Sequence, residues 1–125
     1  MTPTRIVTNF FDCWAQGREK IFQSMHDYLA PSAVWENVGL SRTVGPEEAE
    51  AAFQAFEPMQ NCQRIDVEYI AIAEQGEMVL TERIDHLIDA EGNAFASIRV
   101  AGILKVEQGK ITEWRDYFDA TPFAL

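Results

Sequence analysis

The sequence predicts an α+β fold in which a curved, antiparallel-rich sheet packs against N-terminal helices. Apolar residues recur at helical spacing from Pro3 to Leu29, period-two alternation takes over from Arg64 onward, and glycine-bearing turns separate the later runs. Helices first and a meander afterwards imply that the helices lie across one face of the sheet, closing it into a cone.

Ile6, Val7, Phe10, Phe11 and Trp14 make a one-sided stripe in a first helix over Pro3 to Gln16, with Thr2-Pro3 as cap and first-turn proline and Gly17 as the stop. A second helix over Arg18 to Leu29 turns Ile21, Phe22, Met25, Tyr28 and Leu29 inward and is stopped by Pro31. Ala33 to Val38 reads as a short strand and Gly39 to Val44 as a loop. Gly45-Pro46-Glu47-Glu48 opens a third helix carrying Ala49, Ala52, Phe53 and Phe56 inward, and Pro58 to Cys62 is a connection.

Strands follow over Arg64 to Ala73, Glu77 to Asp89, Ala94 to Glu107 and Lys110 to Ala120, with turns at Gln75-Gly76, Glu91-Gly92-Asn93 and Gln108-Gly109. Strands this long bend or bulge, so their inward sets shift by one residue somewhere along their length. One domain over residues 1–125 accounts for the whole pattern.

At 125 residues and 47% hydrophobic content the chain can bury a core and a cavity within it. Twenty acidic against ten basic residues give a net charge of −10, which argues against nucleic acid and anionic membrane as partners. No apolar run approaches the roughly eighteen residues of a membrane span, and Met1 to Arg5 lack a leader's charged start, so the expectation is a cytoplasmic protein. Cys13 and Cys62 lack ligand spacing and read as buried free thiols. No metal or cofactor is expected, because His26 and His86 have no companion at ligand spacing and no phosphate-cradling glycine run occurs.

Alternation places Arg83 and Asp85 on one face of their strand, and Trp114, Asp116 and Phe118 together on another. Two carboxylates around one arginine leave a surplus negative charge, so in an apolar lining the group retains one proton. One carboxyl is then an acid and the other a base. The plain alternative is a structural ion-pair network between strands. Trp35, Trp114 and Phe118 fit the core as readily as a pocket wall. His86 falls on the face opposite Arg83, and Glu82, Asp119 and His26 fall toward solvent.

The element order is similar to the nuclear-transport-factor-2-like (NTF2-like, SnoaL-like) cone. Val79-Leu80-Thr81-Glu82-Arg83-Ile84-Asp85 and Gly109 to Asp119, with Trp35 to Asn37, more closely resemble the limonene-1,2-epoxide hydrolase family. The resemblance implies one-step hydrolysis of a small or medium apolar epoxide to a vicinal diol, without cofactor. It implies Asp116 as general base, Asp85 as general acid, Arg83 as the bridge and Asn37 as a water holder. Trp35 stands where the family has a tyrosine, and its indole donates but cannot accept. Alternatives are an isomerase or a polyketide or polyether cyclase of the same fold, and a non-catalytic ligand-binding dimer. Ile98, Val100, Gly102 and Leu104 alternate with Ser97, Arg99, Ala101 and Ile103, so both sheet faces are partly apolar and a homodimer through the sheet is expected.

Overall fold

The structure is a computed structural model describing residues 1–123; Ala124 and Leu125, the end of the expected domain, lie outside the described residues. Helix α1 (Pro3–Trp14) starts where Thr2 accepts from the Arg5 amide at 3.1 Å, with Pro3 in the first turn. Helix α2 (Arg18–Tyr28) runs directly into strand β1 (Leu29–Asn37). The second helix therefore ends at Tyr28, ahead of Pro31, which sits exposed inside the strand where its register breaks between Leu29 and Val34.

Four of the six residues expected as a loop over Gly39 to Val44 are strand. Ser41–Val44 forms β2, an edge strand folded back on β1 with Asn37 opposite Ser41 and Trp35 opposite Thr43. Its residues are mostly exposed, so no burial alternation marked it. Gly45 then turns the chain into α3 (Pro46–Ala55) at φ +87°; a Cβ there would lie 2.9 Å from the Pro31 carbonyl oxygen. Phe56 caps that helix from outside, and a 3-10 segment (Glu57–Asn61) replaces the simple connection. The Arg18 guanidinium ties this segment to α2 by donating to the carbonyls of Met59 and Cys62.

Strands β3 (Arg64–Gln75), β4 (Met78–Ile88), β5 (Ala94–Glu107) and β6 (Lys110–Tyr117) form the meander. The sheet runs β2-β1-β6-β5-β4-β3, and every pairing is antiparallel except β1 with β6. Irregularities fall between Tyr69 and Ala71, Leu87 and Ile88, and Lys105 and Val106, which leaves Thr81 to Asp85 and Trp114 to Asp116 in regular register.

Helix α1 lays Phe10, Phe11 and Trp14 on the inner face, where Phe10 meets Trp114 edge-on with ring centroids 5.2 Å apart. Trp14 Nε1 donates to Ser24 on α2 at 3.1 Å, so the two helices are joined by a satisfied buried donor as well as by packing. Cys62 is buried as expected, whereas Cys13 is only half-buried on α1; both are free. His26 pairs with Glu50 at 2.8 Å near the surface. No helix among the described residues is long and apolar enough to cross a membrane.

Candidate active site

Inward positions of β4, β5 and β6 put charge where the core would otherwise be apolar. Val79, Thr81, Arg83, Asp85 and Leu87 alternate inward on β4, and Trp114 and Asp116 do so on β6. The Arg83 side chain is 0% exposed and its guanidinium lies 4.4 Å from the centre of the Phe11 ring. A buried cation needs anionic partners. Nε donates to Asp85 Oδ1 at 3.0 Å, and Nη2 donates to Asp116 Oδ2 at 2.8 Å and, more weakly, to Asp85 Oδ2 at 3.4 Å.

Charge is distributed unevenly over this group. Burial lowers the tendency of Arg83 to hold its proton, but the charges of Asp116 and Asp85 outweigh it and the guanidinium stays ionised. Burial pushes the Asp85 carboxyl above its ordinary value; Arg83 opposes the rise and the Asp116 charge adds to it. Asp116 accepts a further hydrogen bond at Oδ1 from the Trp114 indole N–H, at 3.0 Å.

Both carboxyls open onto a cavity of about 770 Å³, within the range of small-molecule sites. Trp35, Phe53, Phe56, Trp114 and Phe118 supply aromatic wall, with Ile98 and Val100 beside the acids. Trp35 stacks on Trp114 with centroids 4.4 Å apart and on Phe53 at 5.5 Å. Phe11, Met25, Leu29 and Leu104 belong to the core, and Leu80 is exposed on the far side of β4.

Asn37 comes beside Asp116 because β1 and β6 run parallel with these two residues in register. Its Nδ2 donates to Ser41 Oγ at 3.1 Å, which leaves the amide oxygen as an acceptor in the pocket. Trp35 Nε1 is buried with no acceptor among the described residues. Asp116, Asn37 and Trp35 thus line one cavity, where Asp116 and the Asn37 amide oxygen are acceptors for a water. Among the described residues no group of three or more His, Cys, Asp or Glu is gathered as a metal site would need.

A family model for the limonene-1,2-epoxide hydrolase catalytic domain matches residues 1–124. The chain belongs to the limonene-1,2-epoxide hydrolase family.

Epoxide hydrolase EphG of Mycobacterium tuberculosis is 37% identical over 98 residues, spanning 78% of this chain and 62% of the relative's length. A solved M. tuberculosis epoxide hydrolase described as limonene-epoxide-hydrolase-like superposes with TM-score 0.74 at 32% identity, covering 94% of this chain and 79% of that one. An NTF2-like protein of unknown function from Cytophaga hutchinsonii superposes with TM-score 0.73 at 17% identity over 98% of this chain and 95% of that one, a likeness of fold alone.

Within this family member, the five residues singled out from sequence come together: Arg83 donates to both Asp85 and Asp116, and Asn37 and Trp35 line the cavity onto which the two acids open. His86 stands on the outer face between Glu68 and Ser97, and Glu82 and Asp119 are exposed. Sequence reasoning did not single out the Trp114 donor, Ser41 behind Asn37, or Thr81, whose Oγ1 accepts from Arg83 Nη1 at 3.2 Å. Alternation already placed Trp114 beside Asp116 and Thr81 beside Arg83, and that was the available signal.

Proposed function

We propose that this chain hydrolyses small or medium apolar epoxides to vicinal diols in one step, without a covalent intermediate. The observation that carries the reading is the buried Arg83 bonded to two carboxyls that share one cavity, with burial pushing Asp85 toward its protonated form.

Asp116 is the base and Asp85 the acid. Water held by Asp116, the Asn37 amide oxygen and the Trp35 indole N–H gives a proton to Asp116 as its oxygen bonds to a ring carbon. The ring C–O bond breaks, its electron pair stays on oxygen, and the Asp85 proton neutralises that oxygen. Asp116 then holds a proton and Asp85 does not, so one proton passing between them restores the starting state. Arg83 stays charged throughout and keeps the total charge of the group constant. The aromatic wall offers no competing nucleophile.

Further parts of the reading are cytoplasmic location and a homodimer formed through the outer sheet face. Exposed Ile70, Leu80 and Tyr117 support such an interface, and light scattering at micromolar concentration tests it.

The deciding experiment is a single turnover of apolar epoxides in ¹⁸O-labelled water, with Asp116→Asn as the control. Direct water attack places the label in the first diol released, and the variant, still folded, forms none. Unlabelled diol in that first turnover would mean an enzyme carboxylate had attacked and would overturn the one-step reading. No diol from any epoxide would overturn the hydrolase reading itself.

A further inference from the structure

We propose that Thr81 and Gly102 form a fitted seat for the Arg83 guanidinium and act as positioning residues for Asp85 and Asp116. This rests on the reading that these two acids and Arg83 carry the chemistry.

Gly102 is hard to explain otherwise. It lies inside β5, on the inward face between the large buried side chains of Val100 and Leu104. A glycine in a strand interior weakens the strand and leaves nothing to pack, so it commonly marks a close approach by another group. Its backbone is not among those at positive φ, so conformation does not call for it. Space does. A Cβ at this position would lie 2.3 Å from Arg83 Nη1, 2.7 Å from Asp116 Oδ1 and 3.0 Å from Thr81 Oγ1.

None of these three atoms is free to give way. Asp116 Oδ1 is held by the Trp114 indole, and Nη1 by the Thr81 hydroxyl. That hydroxyl donates to the Gly102 carbonyl at 3.0 Å, which turns a lone pair toward Nη1. Thr81, Gly102 and Asp116 are successive register partners across β4, β5 and β6, so the sheet's own hydrogen bonds fix the seat. The Thr81 hydroxyl is a neutral acceptor, so it fixes the cation without competing with Asp85 and Asp116 for its charge.

The test compares Gly102→Ala, Thr81→Ala and Thr81→Ser, with Ala101→Ser on the exposed face of the same strand as control. Gly102→Ala must displace the guanidinium by on the order of 1 Å, so kcat falls about a hundredfold with KM unchanged. Thr81→Ala lowers kcat about tenfold, whereas Thr81→Ser keeps the hydroxyl and matches the wild type, as does Ala101→Ser. A second readout needs no substrate: the carboxyl ¹³C resonance of Asp85, identified by its loss in Asp85→Asn. Its titration midpoint moves upward in Gly102→Ala and Thr81→Ala, because Arg83 is the charge that holds it down, and stays put in Thr81→Ser and Ala101→Ser. Unchanged kcat and unchanged titration in folded Gly102→Ala, or in Thr81→Ala, overturn the seat. If Gly102→Ala does not fold, the two Thr81 variants decide. If the wild type opens no epoxide, the hydrolase reading fails while the titration still judges the seat.

Discussion

The Trp114 indole N–H donates to Asp116 Oδ1 at 3.0 Å from two residues upstream on the same strand. Both side chains point inward from β6, so the strand itself holds donor and acceptor together. With Arg83 on the other oxygen, each oxygen of Asp116 accepts from a buried donor, which fixes the plane of the carboxyl.

Trp114→Phe tests this contact. It keeps an aromatic ring against Trp35 and deletes the donor, so the variant loses about 1.5–3 kcal/mol of stability, the range for a hydrogen bond to a charged group. We expect kcat to fall about tenfold or more, with KM little changed. Urea unfolding and steady-state kinetics on one epoxide check both, and a kcat equal to the wild type would remove Trp114 from the machinery.

Arg83→Met tests the cation. Removing one partner of a buried ionic group leaves uncompensated charge and costs about 3–5 kcal/mol at neutral pH. Arg83 is the main influence lowering Asp85, so without it that carboxyl binds its proton more tightly in the folded state than in the unfolded chain. Stability of the variant then falls as pH rises. The deficit relative to wild type is expected to be smaller near pH 4 than near pH 8 in urea melts, and a deficit independent of pH would contradict the electrostatic account.

Much of this site was legible from alternation. Arg83 with Asp85, and Trp114 with Asp116, are pairs two residues apart on strands, and that spacing alone puts them on common faces. What joins the pairs is cross-strand register, which alternation does not specify. Asp116 meets Asn37 only because β1 returns parallel to β6, and it meets Gly102 and Thr81 only through β5. Strand β2 went unread because its side chains are mostly exposed, so Ser41 behind Asn37 was invisible. Cys13 was read as buried because cysteines usually are, yet it sits at the margin of the α1 stripe.

Trp35 Nε1 is a buried donor with no acceptor among the described residues, on a ring that lines the pocket. Burying it has a cost that a bound water or substrate oxygen offsets. Trp35→Phe keeps the stack on Trp114 and Phe53 and removes the N–H, and kcat is expected to fall about tenfold. Trp35→Tyr restores a hydroxyl able to donate and accept, and is expected to stay at or above the wild-type rate. Equal rates for the Phe and wild-type forms would mean that the water is held by Asp116 and Asn37 alone.

Asp85→Asn separates the two acids by sign. In the wild type the folded Asp85 holds a proton that the unfolded chain releases at its ordinary value, so the group's contribution to stability is greatest below about pH 4. It is lost as pH rises toward the folded value. An amide does not titrate, so this loss disappears in the variant, and the stability of Asp85→Asn relative to wild type should rise with pH from about 4 upward. The same change removes the acid that protonates the departing oxygen, and kcat should fall by about 10²–10⁴-fold. Urea midpoints across that range, paired with rates, give both numbers. A stability difference that falls with pH would mean that Asp85 is held ionised, and the roles of acid and base would then have to be exchanged between Asp85 and Asp116.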